Sequence, residues 1–211
     1  MTQSPDDSRT SGLATGFSAQ LPAWLQGELT AVSTPRVTPE ERMELVNYLA
    51  DRNWREGNGG PFAAIVVDHV TGEVISVGVN VVLSTGLSSM HAEVTAISLA
   101  QVALGSWDLG ADPERELELV VNWRPCVMCY GSTMWSGVRH LVVAGSGPEL
   151  ERLSGFDEGP MREDWAAQFE ARGISVTEGV GRDDALRVFR EYGEADVLVY
   201  NARGAGAIAL D

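Results

Sequence analysis

The chain has 211 residues, 44% hydrophobic and 21% charged, which suits one globular domain with a full core and excludes disordered or fibrous classes. Its 15 Lys and Arg against 30 Asp and Glu give a formal charge of −15, which argues against a nucleic-acid partner, because affinity for phosphate comes from clustered cations. No apolar run has the length of a membrane span, Met1 to Ala19 lacks the apolar region of a secretory signal, and 2 cysteines make no disulfide framework, so the expected compartment is the cytoplasm.

Residues 1–37 read as a flexible leader in which only Leu21 to Leu29 has the apolar content of a short packed segment. A helix starts at Thr38-Pro39-Glu40-Glu41, where threonine at N-cap, proline at N1 and glutamate at N3 make a capping box. Met43, Val46 and Ala50 continue it at helical spacing, and the glycines from Gly57 to Gly60 end it. Ala63 to Val67 and Val74 to Val79 have strand length and are joined by the turn residues His69 to Gly72, which predicts a hairpin. Val81 to Met90 reads as a loop.

The run from His91 to Leu104 is apolar on most of its circumference and predicts a buried helix. Leu117 to Val121 is a predicted strand, a helix follows from the Pro125-Cys126 pair to Trp135, and His140 to Ala144 is the next strand. Residues 145–160 are rich in glycine and proline and read as loop. Helices are predicted over Arg162 to Ala171 and Asp184 to Tyr192, with a fifth strand at Ile174 to Thr177 between them. Residues 194–211 form a C-terminal tail, with an apolar run at Ala195 to Tyr200 of no assigned type and the small residues Gly204 to Ala207 beyond it. Helices alternating with strands after a hairpin predict a mixed sheet covered on both faces.

Two short runs stand out: His91-Ala92-Glu93 and Pro125-Cys126-Val127-Met128-Cys129. One imidazole and two thiolates fill three positions of tetrahedral zinc and leave the fourth to water, the pattern of a catalytic site. Glu93, two residues from one ligand, can exchange a proton with that water. A proline in the first turn and cysteines three apart at a helix N-terminus favour thiolate over thiol. A closed structural site would need a fourth ligand, and the remaining histidines read as a turn residue, His69, and a strand opener, His140. The spacing H-x-E…P-C-x-x-C is the signature of zinc-dependent nucleobase deaminases.

With the flanking pieces Gly59-Gly60-Pro61-Phe62, Gly78-Val79-Asn80, Trp135-Ser136 and Gly155-Phe156-Asp157-Glu158, residues 38–193 resemble the cytidine-deaminase-like superfamily, and within it bacterial zinc-dependent guanine deaminases. The resemblance implies a three-layer α/β/α fold with a central mixed five-stranded sheet, a homodimer whose C-terminal segment closes the pocket or is exchanged, and hydrolysis of guanine to xanthine and ammonia. It implies Zn2+ on His91, Cys126 and Cys129 with Glu93 as proton shuttle. It implies Phe62 and Trp135 flanking the purine, Asn80 and Asp157 at its polar edge, Ala92 beside it, and Tyr192 or Tyr200 closing the pocket. The chain departs from the family pattern at Trp123 and Arg124, where a small residue and a glutamate are usual, and at Val127, where proline is. An arginine there can face a substrate carboxylate or phosphate or pair with a local acid, so Arg124 joins the candidate substrate contacts. The alternatives are deamination of guanosine, cytosine or cytidine, an RNA-modifying protein of the tRNA adenosine deaminase kind, and a silent zinc scaffold.

Overall fold

The computed structural model describes residues 13–201. Its strands are β1 (Ala63–Asp68), β2 (Val74–Val79), β3 (Leu117–Val121), β4 (His140–Val143) and β5 (Ser175–Glu178). They form one sheet of order β2-β1-β3-β4-β5. β1 pairs antiparallel with β2 and β3, whereas β4 lies parallel to both β3 and β5, so the sheet is mixed.

The two-residue period of a strand sorts the core into two layers. Ala63, Ile65 and Val67 of β1, Val120 of β3 and Val142 of β4 face one way. They meet α1 (Ala23–Val32), α2 (Pro39–Arg55), α6 (Glu149–Ser154) and α8 (Arg182–Glu194). Ala64 and Val66, Leu117, Leu119 and Val121, and Leu141 and Val143 face the other way. They meet α4 (Ala92–Leu104) and α7 (Trp165–Glu170), with α5 (Val127–Ser136) packed alongside. The result is the three-layer α/β/α arrangement with a mixed five-stranded sheet.

Local chemistry sets the helix that anchors the first layer. Thr38 accepts from the Glu41 N–H at 3.2 Å while the Glu41 carboxylate accepts from the Thr38 N–H at 3.0 Å, closing the capping box. On the opposite face α4 approaches β2 so closely that a Cβ on Gly78 would collide with Ala92 and Ala96 backbone atoms. Only glycine allows this contact, which fixes the start of α4 against the sheet.

Several elements differ from expectation. Leu21 to Leu29 lies in helix α1, whose Leu25 is fully buried, and α1 runs to Val32. The predicted loop Val81 to Met90 contains α3 (Val82–Thr85), and the loop over 145–160 contains α6, whose Leu150 enters the core. α7 is shorter than the helix predicted there: Asp164 is its N-cap, and Arg162 lies ahead of it, paired with Asp164. Residues 195–201 carry no regular element. Gly204 to Ala207 and the start of the leader lie outside the described residues.

Candidate active site

β3 ends at Val121 and delivers Asn122, Trp123, Arg124 and Pro125 to the edge of the sheet. Asn122 is fully buried; its Oδ1 accepts from the Ala63 N–H at 3.2 Å and its Nδ2 donates to the Pro61 carbonyl at 2.9 Å. It ties the loop after β3 to the turn that enters β1. Carboxyl ends of parallel strands are where open α/β sheets bind ligands, and the N-termini of α4 and α5 converge there.

His91 is the N-cap of α4 and Cys126 that of α5. Pro125 therefore sits just outside the helix rather than in its first turn, and the two cysteines occupy N-cap and N3. One ligand atom each from His91, Cys126 and Cys129 lies within 4.8 Å of the others, and His91 Nδ1 is 3.5 Å from Cys126 Sγ. Cys129 donates to Cys126 and, with His91, holds the Cys126 thiol down to about 4 although burial opposes it. The same hydrogen bond and burial push Cys129 well up. Burial works against a charged His91, but Cys126 and Glu93 outweigh it and raise His91 to about 8.

This donor set fits zinc: one imidazole and two sulfurs, one with its thiol pKa held low, gathered at one point. Among the described residues no fourth His, Cys or carboxylate joins the group, as a catalytic rather than structural site requires. His91, Cys126 and Cys129 would hold the ion, which supplies Lewis acidity when bound.

A cavity beside the ligands is lined by Phe62, His91, Glu93, Val121, Trp123, Arg124 and Glu158. Glu93 follows Ala92 in the first turn of α4, where burial and then the negative Cys126 raise its carboxyl to about 7, with His91 opposing. Ala92 is fully buried and packs under Gly78 instead of lining the cavity. Phe62 forms an apolar wall and meets Phe156 edge-on at 5.3 Å.

Asn80 is held behind Phe62 by a backbone bond from its N–H to the Phe62 carbonyl, and its Oδ1 accepts from the Val82 N–H at 3.2 Å and the Tyr200 hydroxyl at 2.7 Å. The Tyr200 oxygen also accepts from the Gly60 N–H at 2.9 Å, so its own proton goes to Asn80 and the amide presents Nδ2 outward. Tyr200, not Tyr192, reaches this edge. The Tyr192 hydroxyl donates to the Leu198 carbonyl, and its ring lies in the core against Phe156.

Asp157 is exposed, caps the Gly159 N–H and receives no ligand-facing role from its position. The residue beside it turns inward: Glu158 is raised to about 8 by burial first, then by Cys126 and Glu93, with His91 and Arg124 opposing. No local signal separates it from Asp157; the path of the segment after α6 buries one and exposes the other. Trp135 lies on the last turn of α5, 82% exposed and away from the cavity.

A mixed sheet with its ligand triad at two helix N-termini and a buried carboxyl beside them defines a zinc-dependent hydrolytic deaminase. The family described as "Cytidine and deoxycytidylate deaminase zinc-binding region" matches residues 37–145, and the chain belongs to it. Among solved structures the chain is similar to the guanine deaminase from Nitrosomonas europaea, with 43% identity, TM-score 0.79, and coverage of 87% of this chain and 99% of that one. It is 33% identical over 110 residues to the guanine deaminase of Bacillus subtilis, covering 52% of this chain and 65% of that protein. It is also 27% identical over 180 residues to a tRNA(Ile)-lysidine synthase of Deinococcus radiodurans, covering 83% of this chain but 28% of that protein. The chain thus spans between about a quarter and two thirds of the curated relatives it matches.

Proposed function

We propose that residues 38–193, closed by the segment that follows, hydrolyse guanine to xanthine and ammonia. The observation that carries this reading is a buried Glu93 beside the zinc-ligand triad in a chain 43% identical to a guanine deaminase over nearly all of that protein. Phe62 and Trp123 offer flat apolar walls to a bicyclic ring, and stacking adds to burial. Asn80 offers an amide donor of fixed orientation to the ring's polar edge. Glu93 takes a proton from the attacking water and delivers it to the departing amine nitrogen, while the water oxygen bonds to C2 and the C2–N bond breaks. A carboxyl held near 7 exchanges protons in both directions at neutral pH, which suits one group serving as base and then acid. Glu158, held protonated by burial and its neighbours, donates to a ring acceptor.

Incubating the zinc-loaded protein with guanine, guanosine, adenine, cytosine and cytidine tests this by ammonia release. Guanine is expected to be turned over and adenine and cytosine to be poor. Turnover of cytosine or cytidine without guanine would remove the purine reading and leave the deaminase class standing.

The working unit we propose is a homodimer in the cytoplasm. Trp135, Val127 and Met128 make an exposed apolar face on α5, and Trp107 lies beside it in the loop whose Leu109 N–H donates to Ser136. Such an exposed apolar patch suits a second copy better than solvent. Sedimentation at micromolar concentration is expected to show a dimer that Trp135→Ser weakens; a monomeric parent would sink this part. Among the described residues no helix is long and apolar enough to cross a membrane.

A further inference from the structure

Arg124 is 8% exposed and forms part of the cavity wall, yet its guanidinium is mostly unanswered. Its backbone is fixed by a bond from its N–H to the Gly145 carbonyl at 2.8 Å, and its Nε donates to the Ser146 carbonyl at 3.2 Å. Nη1 is buried without a partner among the described residues. The neighbouring Glu158 is close enough to feel the positive charge but forms no hydrogen bond with it. A buried donor left unmade costs about 1–3 kcal/mol, more when charged, so a group held this way in a cavity wall points to a partner that arrives with the ligand.

The chemistry of that partner follows from the fork and its surroundings. A guanidinium presents paired N–H donors in one plane and has no acceptor, so it matches two adjacent acceptors or an anion. Glu93 also lines the cavity, and a carboxylate there disfavours a second anion beside it. The walls Phe62, Val121 and Trp123 suit a flat neutral ring. Among purines the edge with adjacent acceptors is the 6-oxo and N7 edge of guanine, the pair that arginine reads in nucleic acids, whereas a 6-amino group presents a donor in place of the oxo acceptor.

We propose that Arg124 is the specificity-determining residue of this site, reading the 6-oxo edge of a 2-amino-6-oxopurine while the 2-amino edge faces Glu93. This rests on the guanine reading and says which side chain enforces it.

The test uses zinc-loaded Glu93→Gln protein, which binds a base without turning it over, and calorimetry with guanine and with 2-aminopurine, which has no oxygen at C6. The parent is expected to bind guanine about tenfold to a hundredfold more tightly than 2-aminopurine, the discrimination one two-point arginine contact supplies. Adding Arg124→Met should remove most of that preference by weakening guanine alone, with zinc content unchanged. Should Arg124→Met not fold, Arg124→Lys, which keeps the charge and loses the fork, should also weaken guanine selectively, by a smaller factor. Equal weakening of both bases, or of neither, overturns the proposal. Failure of the guanine reading itself shows elsewhere, as wild-type protein that releases no ammonia from guanine, and that result would take both down.

Discussion

Two buried arginines flank β3, one at each end, and they live in opposite conditions. At the start of the strand, Arg42 and Glu118 are each 1% exposed and 2.8 Å apart. Arg42 also donates to the carbonyls of Arg36, Val37 and His69, and the second Glu118 oxygen meets His69 Nδ1 at 2.7 Å. Every nitrogen and oxygen of that pair is answered from within the chain. Past the end of the same strand, among the described residues, the Arg124 guanidinium has one partner and Glu158 has no side-chain hydrogen bond. The first end is finished by folding; the second is left to be finished by a ligand. A buried ion pair with all its hydrogen bonds specifies structure, whereas an open one stores affinity.

Substitutions at the two ends should therefore fail in different currencies. The largest effect belongs to Cys126→Ala: two remaining ligands do not hold a catalytic zinc, so metal and turnover are both expected to vanish, read by metal analysis and ammonia release. A metal-replete, active variant would break the site assignment. Glu93→Gln should keep the metal and lose turnover by about a hundredfold to ten-thousandfold, because the amide cannot accept a proton. Normal turnover would place the shuttle on another group.

The same change at both arginines separates the two ends of β3. Arg42→Met should cost about 3–5 kcal/mol in denaturant unfolding, because it strands Glu118 in the interior. Arg124→Met should cost much less than Arg42→Met, because the one hydrogen bond it removes, to the Ser146 carbonyl, is offset by the loss of a buried donor with no partner among the described residues. Equal losses would erase the distinction between the two ends. The smallest effect is expected of Tyr200→Phe, which frees the Asn80 amide and leaves the Gly60 N–H unanswered. We expect about 1 kcal/mol of stability lost and a raised KM for guanine with kcat nearly unchanged; an unchanged KM would show that Tyr200 closes the fold and not the site.

The metal ligands were legible in the sequence because their geometry is local. Cysteines three apart at a helix start share one turn, and His91 and Glu93 are separated by a single residue. Short apolar runs of strand length set between helices likewise announced a mixed sheet covered on both faces. Less was legible where side-chain direction depends on an irregular backbone. Asp157 and Glu158 are neighbours of similar chemistry, and only the path of the segment after α6 turns the glutamate inward. Trp135 falls on a helix whose periodicity does not say which face the rest of the molecule covers. Tyr192 and Tyr200 were equal candidates until the course of residues 195–201 brought one hydroxyl to Asn80.

Sequence alone thus determined the deaminase class, the candidate metal donors and a mixed sheet covered on both faces, since these rest on spacing within a turn and on the order of helices and strands. Tertiary structure alone decided which polar groups are answered. Arg42 and Glu118 are 76 residues apart, and nothing local to either shows that folding joins them. Nothing local to Arg124 shows that folding leaves it open. Satisfaction of a buried charge is a property of what long-range packing brings within about 3 Å, and that distance is set by the assembled sheet and helices, not by neighbours in the chain.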